Sequence, residues 1–402
     1  MIANVIRRME LNTLHTSTKV VALVSVLGVL FGLISWVYQQ WFGLGATGMN
    51  NGTSWGLYIA DFMYFVGLSA GAQAIACAGY AFNIKSLRSI SIPSAIVALV
   101  MLCMGGLSVL VDLGGIERVF HMFLSPNFAS PLVWDMTAIS VCLILDVLFL
   151  AFLLLKKERQ AILLARILVL SFFGLLSVDA WIFGLENAKE GWNSAILAPI
   201  FICSALDSGA ACVALCLAYL EKQQHFRVEK HIYPTLALIM VVAVVFEFYF
   251  IMCEVVTTAY AHTATGTFIL GQMFVGSTAP FFWFEIIGGL VIPFFLMIST
   301  KRRASKRFFF TAGVLVMLGV FCKRIWLLLS SFVKPNVYGA PGLTSGSVET
   351  QGVHSIGMWS PLSYYAPSIS EIGVTCAMVG IALLALIILF KLCVPLHEPI
   401  KD

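Results

Sequence analysis

Residues 131–155 read PLVWDMTAISVCLILDVLFLAFLLL, a run of 25 positions in which only Asp135 and Asp146 carry charge. About 20 mostly apolar residues in a helix cross a hydrocarbon core of about 30 Å, so this stretch, Pro131 to Leu155, predicts a transmembrane helix. Nine further stretches meet the same requirement: Lys19 to Trp41, Trp55 to Asn83, Pro93 to Leu113, Ile162 to Phe183, Ser194 to Leu220, Ile232 to Val256, Ala279 to Thr300, Phe308 to Phe332, and Ile369 to Cys393. Sixty per cent of the 402 residues are hydrophobic and 11% are charged, with the charges clustered between the apolar runs. The expected fold is therefore an all-α polytopic membrane protein of ten transmembrane helices.

Basic residues set the orientation, because loops rich in Lys and Arg stay in the cytoplasm. They gather at Arg7, Arg8 and Lys19, at Lys85 and Arg88, at Lys156, Lys157, Arg159 and Arg166, at Lys222, Arg227 and Lys230, and at Lys301, Arg302, Arg303, Lys306 and Arg307. The alternate loops carry little beyond Arg118, Lys189 and Lys334. The alternation is unbroken, which places both termini inside. The net charge of +4 then reflects topology, with a lipid membrane and no nucleic acid as partner. The first apolar run has full spanning length and no small-residue cleavage site, so it reads as a retained helix. The outer segment Val333 to Ser368, with Tyr338, Trp359, Tyr364 and Tyr365, reads equally as a lid over the helices or as a docking surface.

Several chemistries lack their ligands. The ten cysteines are scattered, without a CxxC pair or a ferredoxin run, so no iron–sulfur cluster is expected on this chain. His15, His225, His231, His354 and His397 fall in loops or tails, and His121 and His262 just beyond outer span ends. With no His inside a span, haem is not expected. Neither a phosphate-binding Gly-rich loop nor a zinc-spaced set is present, and no metal is expected.

An internal repeat organises the spans. Gly67-Leu68-Ser69-Ala70-Gly71-Ala72 in the second span matches Ala205-Leu206-Asp207-Ser208-Gly209-Ala210 in the sixth, and each follows a Trp, Trp55 or Trp192. Pro131-Leu132-Val133-Trp134-Asp135 opens the fourth span, and Pro280-Phe281-Phe282-Trp283 followed by Glu285 opens the eighth. The reading is two parallel four-helix bundles flanked by the first and last helices. Residues 1–54 hold the N-terminal tail, first helix and outer loop; 55–193 the first bundle; 194–332 the second; 333–402 the outer loop, last helix and C-terminal tail.

An ionisable side chain within the bilayer costs several kcal/mol, about 2.5–3.5 by insertion scales, so each is a functional candidate. The first bundle holds Asp61, Asp112, Asp135, Asp146 and Asp179. At about 1.5 Å per residue, Asp61 lies about 9 Å below the start of its helix, and Asp112, Asp135 and Asp179 lie close to outer ends. Glu117, Arg118 and His121 follow at the surface. Together with Tyr58, Trp134 and Trp181 they suggest a polar pocket with aromatic walls near the outer interface, and an apolar channel from it into lipid. Asp135 and Asp146 share a helix face; the stripe Asp135, Cys142, Asp146 either passes protons toward the cytoplasm or ties Asp146 to a neighbouring helix. The second bundle holds Asp207, Glu247, Glu254, Glu285, Lys323 and Arg324. Buried charges are normally paired, and a structural ion-pair network of Glu247 and Glu285 with Lys323 and Arg324 is favoured there over a second ligand site.

Trp55-Gly56, Gly105-Gly106-Leu107-Ser108 with Asp112 and Gly114, Pro131-Leu132-Val133-Trp134-Asp135, and the run Tyr365, Pro367, Glu371 together resemble the polysulfide-reductase membrane-subunit family (NrfD/PsrC-like) in its ten-helix form. The resemblance covers about Trp55 to Cys393. It implies a cofactor-free subunit of the bacterial cytoplasmic membrane that exchanges electrons between the menaquinone or ubiquinone pool and a ferredoxin-like iron–sulfur subunit on its outer face. That partner leads to a molybdopterin enzyme or a multihaem cytochrome. It also implies that the quinone headgroup sits at the outer end of spans two to five. The expected roles are headgroup hydrogen bonding by Asp112 and His121 beside Tyr58, Trp134 and Asp179, and proton acceptance by Asp61 and Asp135. The direction of the quinone chemistry stays open. The rivals are a secondary transporter, which shares repeats and buried carboxylates but breaks its helices at midplane, and a structural anchor.

Overall fold

In the computed structural model, residues 16–50, 53–332 and 365–394 are described; most of the outer segment read above as lid or docking surface, with Tyr338, Trp359 and Tyr364, lies outside them. Among the described residues there is no strand, and ten helices are long and apolar enough to cross a membrane. They are α1 (Thr16–Phe42), α2 (Leu57–Ala81), α3 (Ser91–Asp112), α4 (Pro131–Leu154), α5 (Glu158–Gly184), α6 (Leu197–Lys222), α7 (Ile232–Ala261), α8 (Ala279–Met297), α9 (Lys306–Phe332) and α10 (Ile369–Cys393). Large apolar side chains such as Leu23, Ile34, Leu163, Leu170 and Phe246 stand exposed along them, as they do where lipid is the solvent. The chain is a multi-pass integral membrane protein.

Successive helices run in opposite directions, so the connections fall at two ends. One end carries the longer links, among them 43–56, 113–130, 185–196 and 262–278; we call it the long-loop end. The other, the basic end, carries short links. Three of these turn through a residue in the left-handed region, Asn83 (φ 58), Lys156 (φ 55) and Gln224 (φ 55), which reverses the chain within a few residues of a helix C-terminus.

Helix α2 packs on α3 and α5, and α4 closes the ring against the same two. The order recurs downstream: α6 packs on α7 and α9, with α8 against both. The rings meet where α2 lies along α6, α5 touches α6 and α9 touches α2, while α1 and α10 pair and lean on α3. At the α2–α6 contact the two glycines at the same place in the matching motifs meet backbone to backbone. A Cβ on Gly209 would stand 2.5 Å from the Gly71 Cα, and one on Gly71 would stand 1.8 Å from the Ala205 carbonyl oxygen. Small residues allow this close approach in a membrane, where packing substitutes for a hydrophobic driving force. The two matching tryptophans also meet, Trp55 and Trp192 stacking at 5.8 Å and 19°. Phe183 and Phe332, the one in the last turn of α5 and the other ending α9, stand edge-on to the pair.

Helix α8 is not regular. It consists of an α segment Ala279–Trp283, a π-helical segment Phe284–Val291 and an α segment Ile292–Met297. Pro293 has no N–H to return to the carbonyl four residues back. Just before it the register is wider, with the Ile292 N–H bonding the Ile287 carbonyl. Within this segment Gly289 closes on Gly319 of α9, where an added Cβ would lie 2.7 Å from the Gly319 Cα.

Candidate functional site

The first-bundle carboxylates separate into groups where a single pocket was expected. At the long-loop end, between α1, α2, α3 and α10, lie Tyr58, Asp61 and Asp112. Tyr58 is fully buried, and its hydroxyl donates to Gln39 Oε1 at 2.6 Å. Gln39 Nε2 in turn donates to the Val111 carbonyl at 3.2 Å. The Thr375 hydroxyl donates to Asp61 Oδ2 at 2.5 Å. Asp112 ends α3, and its Oδ1 is buried without a hydrogen-bond partner among the described residues.

Glu371 stands over this group. Ser368 and Glu371 form a capping box at the start of α10, a pairing that satisfies two orphan N–H groups reciprocally. The same carboxylate accepts the Gly48 N–H at 2.7 Å and the Tyr365 hydroxyl at 2.6 Å. The Tyr365 oxygen accepts the Leu57 N–H at 2.7 Å, which joins the first turn of α2 to α10. Burial, and after it the Glu371 charge, hold the Tyr365 phenol well above its ordinary range, so it remains a donor. Glu371 is also within electrostatic range of Tyr58, Asp61 and Asp112.

One helical turn below the Asp61–Thr375 hydrogen bond, an apolar cavity of about 400 Å³ begins. Tyr64, Phe65 and Leu68 of α2 line it below Asp61, Val379 of α10 lines it one turn below Thr375, and Cys212 and Met317 reach it from α6 and α9. An apolar channel was expected among spans two to five; this one runs between the α1–α10 pair and the junction of the rings, because that pair packs loosely on the rest.

The second group is Asp135 and Asp179, on α4 and α5. They lie within electrostatic range of one another, and Asp179 in turn within range of Arg324. Asp135 Oδ1 and both oxygens of the fully buried Asp179 have no hydrogen-bond partner among the described residues. Deeper, toward the basic end, Asp146 Oδ1 accepts from Gln73 Nε2 of α2 at 3.0 Å, while Asp146 Oδ2 and Gln73 Oε1 have no hydrogen-bond partner among the described residues. Cys142, between the two aspartates on α4, is buried with them.

Three aromatic or basic candidates stand apart. Trp134 is 37% exposed, its Nε1 donating to the Phe128 carbonyl at 2.6 Å, and Trp181 is 43% exposed. Both rings face outward where indoles favour the interface, not inward as walls of a pocket. His121 is exposed on a short helix, Val119–Leu124, between α3 and α4.

In the second ring the Lys323 ammonium donates to Glu247 at 2.6 Å and stands 3.4 Å from Glu285, all three being at most 1% exposed. The Trp326 indole donates to the other Glu285 oxygen. Arg324, expected to share this network, does otherwise. No carboxylate among the described residues closes on it as an ion pair. Its Nη2 donates to the Ser204 hydroxyl at 2.9 Å, and its guanidinium lies 3.8 Å from the Phe201 ring centroid. Its Nε and Nη1 have no hydrogen-bond partner among the described residues. Gly67 of α2 leaves room for it, an added Cβ there lying 3.5 Å from Nη2, so the side chain of a second-ring helix reaches the first ring. All ten cysteines are free, and the described residues hold no cluster of three or more His, Cys, Asp or Glu suited to a metal.

The sequence reading missed Gln39, Gln73, Ser204 and Thr375, which carry the hydrogen bonds above. A single neutral polar residue in an apolar run gives no warning of this. Glu371 was readable through its capping box.

The family model described as polysulphide reductase, NrfD matches residues 45–336. A putative dimethyl sulfoxide reductase membrane subunit of Halobacterium salinarum is 29% identical over 93% of this chain and 90% of its own length. An Hdr-like menaquinol oxidoreductase integral membrane subunit of Archaeoglobus fulgidus is 25% identical over 87% of each chain. A selenate reductase subunit of Mesobacillus selenatarsenatis is 25% identical over 93% of each.

Proposed function

The chain belongs to the NrfD polysulphide reductase family, whose relatives here are membrane subunits of oxidoreductase complexes, and from that premise we propose that it is the quinone-reactive subunit of such a complex. The headgroup binds at the long-loop end against Tyr58, Asp61 and Asp112, and the isoprenoid tail follows the apolar cavity that starts one turn below Asp61. The observation that carries this reading is the hydrogen bond of the buried Asp61 with Thr375 one turn above that cavity, with Asp112, whose Oδ1 is unpartnered among the described residues, in electrostatic range of the same Tyr58. A carboxylate lacking a donor suits a quinol, which brings two hydroxyl donors and loses both protons when its two electrons leave. Tyr58, held by Gln39, supplies a fixed polar edge. Asp135 and Asp179 form the next acceptor pair, and His121, at the surface of the same end, passes protons to water. The stripe through Cys142 to Asp146 leads toward the basic end as a second proton route.

Electrons leave to an iron–sulfur subunit docked on the long-loop end, which the alternation of basic loops puts on the outer side of a cytoplasmic membrane. The names of the relatives favour a menaquinol as donor and a terminal reductase behind the iron–sulfur partner, and the family resemblance implies a molybdopterin enzyme or a multihaem cytochrome there. The chain itself carries neither haem nor cluster in this reading. The charges of the second ring hold no part of the quinone in this reading. Against the transporter reading, α8 passes through its π-helical segment without unwinding, whereas helices of secondary transporters are broken at the substrate site.

A photoreactive quinone added to the purified complex tests the proposal. Adducts should map to peptides of α2, α3 and α10, and the chain should bring redox subunits with it. Adducts confined to α6–α9, or a chain that purifies without redox partners, would overturn it.

A further inference from the structure

The second ring has a cavity of its own, about 250 Å³, at the long-loop end. Its rim carries Glu190, Asn193 and Thr263 from the connecting segments, and Glu190 accepts the Thr263 hydroxyl. Its walls are built from two helical stripes. On α7 these are Thr258, Glu254 and Ile251; on α9 they are Ser330, Leu327 and Trp326. Each stripe continues downward at helical spacing, α7 to Glu247 and α9 to Lys323, because residues three, four and seven apart share a face. The Lys323–Glu247 ion pair therefore lies beneath the cavity.

Polar groups lead from one to the other. Glu254 and Ser194 line the cavity, and Lys323 is within electrostatic range of Glu254. Trp326, in the wall, donates to Glu285, and Glu285 faces Lys323. Three buried acids share the one ammonium: Glu247 accepts from Lys323, Glu285 Oε1 faces it at 3.4 Å, and Asp207 lies beside Glu247. A purely structural ion pair needs neither a polar cavity above it nor a surplus of acids around it. Glu285 also lies in the π-helical segment of α8, and such segments recur at functional sites.

We propose that this cavity is a water-filled vestibule through which protons exchange between the long-loop face and the Lys323, Glu247 and Glu285 group. In the forward step a hydronium in the vestibule gives its proton to a carboxylate, through Glu254 and then Glu285 or Glu247, leaving water and a neutral acid; the reverse step restores both. No electron moves. The path ends inside the membrane, and Arg324, set between this group and Asp179 of the first ring, is where the charge state of one ring acts on the other.

Two measurements on the full chain in sealed vesicles test this. The first labels a Ser330→Cys variant with a membrane-impermeant thiol reagent, applied from each side and mapped by peptide mass against the ten native cysteines. Labelling at position 330 from the long-loop side alone is expected; no labelling from that side overturns the vestibule. The second measures transient proton uptake or release at the long-loop face within a single quinol turnover, with Glu254→Gln, and with Glu285→Gln as a companion in case one variant folds poorly. Both should lose part of the transient while retaining quinone binding and the steady-state proton yield. An unaltered transient in each variant overturns the proton role even if labelling succeeds. Absence of quinol turnover in the unaltered protein would count against the preceding proposal, and the labelling would still decide this one.

Discussion

The two rings place comparable numbers of buried acids in the membrane and treat them in opposite ways. In α2–α5 Asp61, Asp135, Asp146 and Asp179 are buried, and no Lys or Arg of those helices is buried with them. In α6–α9 Asp207, Glu247 and Glu285 are buried with Lys323 and Arg324. A carboxylate without a cation holds its site open for a proton or a donor. A carboxylate clamped on an ammonium is already answered, and its desolvation is offset only while the partner stays. The difference separates a ring whose acids are left without cations from one arranged around its own charges, and Arg324, grown from the second toward the first, is where the two sets of charges come into range.

Breaking the clamp should have the largest effect. Lys323→Met leaves Glu247 and Glu285 buried against each other, and loss of one member of a buried pair costs about 3–5 kcal/mol. The folded yield, and the melting temperature of what remains, should fall sharply. Lys323→Met with Glu247→Leu should recover part of the loss; no recovery would mean that the pair is not the unit of stability. The converse substitution in the first ring, Asp112→Asn, should leave folding intact. It should lower quinone-linked turnover at least about tenfold, the consequence of losing more than about 1.4 kcal/mol of interaction in the reactive complex. Turnover that survives Asp112→Asn and Asp61→Asn while failing in Glu285→Gln would transfer the reactive site to the other ring.

Smaller effects sharpen the contrast. Asp146→Asn keeps a hydrogen-bond partner for Gln73, so stability should hold and quinone affinity should not change. Proton release to the basic side, measured in vesicles, should decline. Unchanged release would make Asp146 a tie between α4 and α2 and nothing more. Ser368→Ala removes the capping hydroxyl of α10 at a cost of about 1 kcal/mol. Because Glu371 stands over Asp61 and Asp112, a modest loss of quinone affinity should accompany the small drop in melting temperature; a drop in stability alone would dissociate Glu371 from the site.

All ten spans were legible because the length of an apolar run is a direct measure of bilayer thickness. Their ends were less so. The second span was read from Trp55 to Asn83 and the helix is Leu57–Ala81, since Trp55 packs on Trp192 in the connecting segment instead of starting a turn. The buried acids were legible for the same reason as the spans: an ionised group in hydrocarbon is costly enough to stand out. Their grouping was not. Depth along a helix follows from counting, but the face a residue presents depends on which helix lies opposite, and the α1–α10 pair puts Gln39, Thr375 and Glu371 against Asp61 and Asp112 from either end of the chain. Trp134 and Trp181 have the right depth and the wrong direction. Lys323 and Arg324 are adjacent on α9 and therefore point about 100° apart, which sends one to its own ring and the other across the junction.

The π-helical segment of α8 has a genetic consequence. A π turn contains more residues than an α turn over a similar rise, so Phe284–Val291 behaves as a stored insertion inside an otherwise ordinary helix. Deleting one residue there, which in α9 or α6 would throw half of the helix out of register, has a regular α-helix available as its product. The flanks keep their register, because the wide turn spreads one extra residue over the rotation that an α turn covers with one fewer, and only residues inside the segment, Glu285 and Gly289 among them, are re-aimed. Length variation in this helix is thus felt where Glu285 faces Lys323, so a relative with a one-residue gap in this segment should differ at its counterparts of these two residues.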